Sequence, residues 1–213
     1  MTQTFATAQD YIDRIREELK DASKTNFPDD ELIGYLNEAV DMLWKEIAAK
    51  APWYFDFTSY MKLSTVTLVV ATATYALPTD FYAVRYMDIN GEEAANLKLL
   101  DESDDEADGY LLQLGKIKVF PTPTVAGTLR LWYIITPTVI TVVTGVGSTV
   151  PLTSGFAQTI KEFVILKGKN RNDESAGGTQ ALFGLVRRSV GRLMTGMNAP
   201  HDRGWKVSGV SYY

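Results

Sequence analysis

Helical spacing at both ends of the chain and β-branched alternation through its middle predict an α+β fold. The expected layout is N- and C-terminal helices forming a helical bundle, an inserted antiparallel β lobe, and an extended C-terminal tail. Helices, then strands, then helices is the order that makes this economical, because the flanking helices can share one core while the strands build another. The expected bounds are 1–57 and 153–197 for the two halves of the bundle, 58–152 for the β lobe and 198–213 for the tail.

The first helix is expected over residues 7–22, where Ala8, Tyr11, Ile12, Ile15 and Leu19 fall on one face and Asp13, Arg14, Glu17 and Lys20 on the other. Residues 23–28 are polar turn formers closed by Pro28, which disfavours helix before it and suits the first turn of the helix after it. Asp29, Asp30 and Glu31 then place negative charge where a helix N-terminus favours it. The second helix runs to about Lys50 on the stripe Leu32, Leu36, Ala39, Val40, Leu43, Trp44 and Ile47, so two antiparallel amphipathic helices joined by a short loop are expected. Asn37 lies close to that stripe. It either bonds across the helix pair or stays on the wet surface.

Strands are expected over residues 64–70, 72–77, 83–89, 110–114, 116–120, 128–135 and 139–143, each bounded by Gly, Pro or acidic residues. Leu114-Gly115-Lys116 reads as a tight hairpin, and Gly127 opens a strand after Pro121-Thr122-Pro123. Helical spacing returns at Phe156, Ile160, Phe163 and Val164, and again at Leu182, Leu185, Val186, Val190 and Leu193. Beyond Asn198, Pro200, Gly204 and Gly209 interrupt any regular pattern.

Composition narrows the function classes. The 213 residues are 46% hydrophobic and 22% charged, long enough for one sizeable core or two small lobes. No apolar run reaches the roughly 18 residues that span a bilayer, and the first residues lack a signal-peptide pattern, so membrane insertion and export are not expected. With no cysteine there is no disulfide, thiolate metal site or cysteine nucleophile. The net charge of −5 disfavours general nucleic-acid binding, which depends on counterion release by basic surfaces.

Chemical signals are sparse. His201, the lone histidine, sits beside Pro200 and Asp202 without the fixed partner that a general base needs. Gly145-Val146-Gly147-Ser148 lacks the Lys of a phosphate loop and no helix follows directly, so it reads as a hairpin turn. Asp104, Glu106, Asp108 and Gly109 imitate the opening of a calcium loop, but Gly115 occupies the position where that loop needs a carboxylate. Nothing orients a pair of carboxylates for hydrolysis. No enzyme activity, metal or cofactor is expected.

Charge is distributed unevenly. Between Asp88 and Asp108 nine acidic residues face Lys98 alone, whereas from Lys161 to Lys206 nine basic residues oppose four acidic ones. An acidic middle and a basic end allow copies of the chain to stack on one another. Asp101, Asp104, Asp105 and Asp108 on one side, and Arg187, Arg188 and Arg192 on the other, are therefore candidates for subunit contact or for lining a channel.

Leu36-Asn37-Glu38-Ala39, then Leu77-Pro78-Thr79-Asp80-Phe81, then Gly127-Thr128-Leu129-Arg130-Leu131-Trp132-Tyr133 followed by Pro137, and finally Pro151-Leu152 before the last helices form an ordered series. Taken together over residues 27–196 it resembles the head-to-tail adaptor proteins of tailed bacteriophages. The resemblance implies a ring, commonly of twelve, beneath the portal in the virion neck, joining capsid to tail and continuing the DNA channel. Expected partners are the portal protein, tail or nozzle proteins, further copies of the chain, and duplex DNA in transit. Arg203, Trp205, Lys206, Tyr212 and Tyr213 would be the docking residues of an arm that orders against the portal or a neighbour. The acidic segment 101–108 and the Tyr-rich end depart from the common pattern. The alternatives are an accessory DNA-binding protein using the Arg187 to Arg192 face and, further off, a glycan hydrolase.

Overall fold

A computed structural model of the chain describes residues 7–21, 23, 25–90, 98–100, 109–145, 147–171 and 176–196. Among the described residues four helices, α1 (Ala8–Leu19), α2 (Asp29–Lys50), α3 (Thr153–Lys169) and α4 (Ala176–Gly196), flank seven strands in chain order. The strands are β1 (Met61–Leu68), β2 (Thr74–Ala76), β3 (Phe81–Ile89), β4 (Lys98–Leu99), β5 (Gly109–Gln113), β6 (Lys116–Phe120) and β7 (Gly127–Ile135). A short 3-10 helix, Pro52–Phe57, precedes β1. The fold is α+β, with helices at both ends and the β region inserted between them. Two compact units divide the described residues: one takes them up to Ala51 and again from Pro137 to the end of α4, the other is Pro52–Thr136. The boundaries thus fall before the expected 57 and 152.

In the helical unit the predicted stripes form the core. Tyr11, Ile12, Ile15, Leu36, Leu43, Trp44, Ile47, Phe156, Ile160 and Phe163 are all buried. α1 begins with a capping box: the Thr7 hydroxyl and the Asp10 carboxylate each bond the other's backbone N–H. Two further N–H groups of its first turn, those of Ala8 and Gln9, donate to the carbonyls of Ser148 and Val143 at 2.7 and 3.1 Å. Those donors would otherwise have no partner, since a helix leaves its first turn unbonded. α1 contacts α2, as expected, and packs more extensively on α3. Gly168 of α3 permits this approach, because a Cβ there would lie 3.2 Å from Leu19 Cδ1 and 3.4 Å from the Phe27 ring.

The loop between α1 and α2 is organised by Asp21, a fully shielded carboxylate the periodicity does not reveal. It accepts the backbone N–H groups of Asn26 and Phe27 at 3.1 and 3.0 Å, and the guanidinium of buried Arg16 at 2.8 Å. Arg16 also reaches Asp29, in the first turn of α2, at 2.6 Å. Burial works against the Asp21 charge, but these donors outweigh it and its pKa falls below the usual 3.8. A polar knot thus fixes the turn that Pro28 only permits.

The β unit holds two sheets. β1, β7 and β3 form an antiparallel three-stranded sheet in that order; β2, β6, β5 and β4 form the second, antiparallel except for the two-residue parallel pair β4–β5. Leu68, Tyr75, Met87, Tyr110, Ile117, Val119, Leu129, Leu131 and Tyr133 from the two sheets make one core. The Leu114-Gly115 hairpin joins β5 to β6, both turn residues having positive φ (46° and 74°) as a tight turn matched to strand twist requires. Residues 139–143 are corrected: they form no strand. Their alternation is β-like, but their backbone is bonded to the helical unit instead.

Candidate interaction surfaces

The first three motifs of the ordered series turn out to be fastenings. In the first, Leu36 and Ala39 are fully buried while the two polar residues point elsewhere. Asn37 donates from Nδ2 to the Ile140 carbonyl at 2.9 Å and accepts the Ile140 N–H on Oδ1 at 2.8 Å. It satisfies both backbone groups of one residue 103 positions away, so neither expected role, across the α1–α2 pair or free on the surface, is the one adopted. Glu38 meets Lys167 of α3 at 3.0 Å. The motif therefore ties α2 to α3 and to the segment that leads into α3.

The second motif does for the β unit what the first does for the helices. Phe81 N–H closes a turn onto the Pro78 carbonyl at 3.1 Å, and Leu77 N–H donates to Gly115 O at 3.1 Å. The Asp80 carboxylate accepts Lys62 Nζ at 2.6 Å and the Tyr133 hydroxyl at 2.9 Å, while its carbonyl accepts Thr136 N–H at 2.8 Å. Phe81 stacks on the Tyr133 ring at 6.0 Å. Lys62 and then Tyr133 hold the Asp80 carboxyl below the usual carboxylate range. Burial, reinforced by Asp80, pushes the Tyr133 phenol up to about 12.

In the third motif Gly127 lets Asn90 approach: a Cβ would stand 2.9 Å from Asn90 Oδ1, the atom that accepts Thr128 N–H at 2.9 Å. Arg130 grips Asp88 through two bonds of 2.8 and 2.9 Å, and Trp132 stacks on Tyr86 at 5.3 Å. Asp88, read from the sequence as part of the acidic run, is buried and spoken for.

Of the residues proposed for contact, Arg187, Arg188 and Arg192 are exposed on α4, a helix without an acidic residue. Arg187 lies 3.8 Å from Glu46, and Arg188 donates to the Gly184 carbonyl of its own helix. Phe183 and Met194, 48% and 42% exposed, flank these arginines. Asp101, Asp104, Asp105, Asp108, Arg203, Trp205, Lys206, Tyr212 and Tyr213 lie outside the described residues, as do Glu106 and His201. Gly145 and Gly147 both take positive φ, and Ser148 turns back onto the Gly145 carbonyl through its N–H and hydroxyl. That geometry is a turn, and α3 starts only at Thr153. Among the described residues no three His, Cys, Asp or Glu side chains gather as metal ligands, and no helix is long and apolar enough to cross a membrane.

The fold and its fastenings define an α+β chain whose motif residues are engaged inside the subunit. It matches the SU10 adaptor protein family over residues 6–204, nearly its whole length, and belongs to that family of phage head-to-tail adaptors. A search of curated proteins returned no match.

Proposed function

We propose that this structural phage adaptor forms a ring beneath the portal in the virion neck, joins capsid to tail there, and continues the DNA channel. The observation that supports the reading most directly is the employment of the shared motifs. Asn37, Glu38, Asp80, Phe81 and Arg130 are bonded or stacked inside the fold, so they shape a subunit and leave recognition to other surfaces. The exposed Arg187, Arg188 and Arg192 row with its apolar flanks is one such surface. A ring needs two different complementary patches per subunit, and the acidic 101–108 segment is the natural counterpart in charge. Lumen-facing carboxylates would also repel phosphates and keep duplex DNA mobile. Arg203, Trp205, Lys206, Tyr212 and Tyr213 serve as the docking arm towards portal or neighbour, the aromatic residues acting as anchors. No catalytic step is assigned.

Purified protein mixed with the portal of its own phage should give rings under electron microscopy and a matching mass by mass photometry; a mixture that leaves the chain monomeric sinks the proposal. The exposed arginines also support a second reading, an accessory DNA-binding protein. Duplex affinity that falls steeply with salt would favour it, and the absence of measurable binding at low salt would remove it.

A further inference from the structure

Sheet edges carry unpaired N–H and C=O groups, and proteins blunt them by shortness, charge or bulges. Three of the four edges here are blunted. β2 and β4 have three and two residues. β3 carries two register shifts against β7, between Phe81 and Ala83 and between Val84 and Tyr86. β1 has none of these devices. It runs eight residues in unbroken register with β7 from Met61↔Ile134 to Leu68↔Gly127, and among the described residues pairs on that side alone. Lys62 is its one charge, already matched to Asp80 at 2.6 Å. From Leu63 through Thr79 no charged residue follows. Leu63, 45% exposed, and Val69 and Val70, about half exposed, lie along and just past the strand. A long, regular, uncharged edge of this kind is what strand addition uses: main-chain bonds give affinity and alternate side chains give selectivity.

We propose that the open edge of β1 receives residues 207–213 of a neighbouring copy as an added strand. That segment, Val207-Ser208-Gly209-Val210-Ser211-Tyr212-Tyr213, is uncharged like the edge and nearly equal to it in length. Two Val and two Tyr favour the extended state, and the Tyr rings can lie over the outward Leu63, Thr65 and Thr67. Charged segments such as 101–108 would bring unmatched carboxylates to an edge with nothing to meet them. Strand addition in trans is a head-to-tail contact, the kind that closes rings. The inference rests on the ring reading for its neighbouring copy, and it assigns the receptor for the arm.

The chain has no cysteine, so introduced pairs report without background. Full-length Thr65→Cys is mixed with a size-tagged full-length copy carrying Ser208→Cys or Ser211→Cys, under mild oxidation, with and without portal protein. A disulfide needs the two Cα atoms within roughly 7 Å, so it forms only if the strands lie side by side. The expected result is a mixed-size disulfide dimer with at least one tail position, together with amide exchange over residues 62–68 that speeds up about tenfold in full-length Val210→Pro. Thr65→Cys linking only to itself would put a second β1 on the edge. A disulfide confined to chains carrying both cysteines would make the arm fold back on its own subunit. Rings without any cross-link would leave the edge empty. Each of these three overturns the inference, and the last leaves the ring intact; a mixed dimer without rings would keep the strand and remove the ring.

Discussion

The helical unit and the β unit solve the same problem by different means. The β unit is one continuous stretch, Pro52–Thr136, whose ladders, the β5–β6 hairpin and the longer-range pairings of β1, β2 and β3 alike, all close within that stretch, as does the Asp80 latch onto Tyr133. The helical unit is assembled from both ends of the chain and depends on bonds between distant residues, Asn37 to Ile140, 103 positions apart, and Lys161 to Glu18, 143 apart, among them. Closure entropy rises with loop length, so bringing the two ends of the chain together costs more than closing loops inside one stretch. Stability in the helical unit therefore hangs on a few specific long-range contacts, and in the β unit on a distributed ladder.

Substitutions that strike one unit can break this contrast. Trp44→Ala removes the largest fully buried side chain and should cost about 4 kcal/mol, read as a drop in the denaturation midpoint with amide protection lost in the helices. Equal loss of protection in the strands would show that the units unfold together. Asn37→Ala strands the Ile140 N–H and carbonyl and should cost about 2 kcal/mol, with faster exchange concentrated in residues 137–150. An unchanged exchange pattern there would mean that Asn37 is not the tie.

Asp80→Asn should have a smaller effect, confined to the β unit. The amide loses its charge against Lys62 but keeps an acceptor for Tyr133, and the measurement is again exchange, now in β3 and β7. Titration should give the smallest effects. Asp21 and Asp80, one in each unit, have pKa values below 3.8, so their contribution is complete above that value and disappears as pH falls through the lowered ones. Tyr133 is raised from 10.0 to about 12, so its contribution is complete below pH 10 and disappears as pH rises towards 12. Both units should thus loosen in acid, and Tyr133→Phe should remove the part of the alkaline loss that Tyr133 carries, checked by circular dichroism melts across pH.

Much of the fold was legible because period and composition report which side of an element is dry. The stripes of all four helices, the turn at Leu114-Gly115 and every strand but the two-residue β4 carry that record in local spacing. Residues 139–143 were misread for the same reason: Val139-Ile140-Thr141-Val142-Val143 alternates as a strand does, yet no spacing rule shows that Asn37 takes the very groups a ladder would use. Arg16 and Asp21 were hidden too, since a charged residue inside a stripe becomes intelligible only when its partner from another turn is known. Among the residues proposed for contact, the arginines of α4 were legible as an exposed basic face. The open edge of β1 was not, because an edge is a property of strand order, which no strand's own sequence contains.

The sequence by itself determined the α+β class, the uncharged run from Leu63 to Thr79, and the ordered motifs that family membership bears out. Tertiary structure decided what those motifs do: Asn37 holds a backbone segment, Asp80 latches a strand to its turn, and Arg130 neutralises a buried carboxylate. The reason is physical. Hydrophobic period is written residue by residue along the chain, whereas a hydrogen bond to a distant partner exists only after folding has brought the two together.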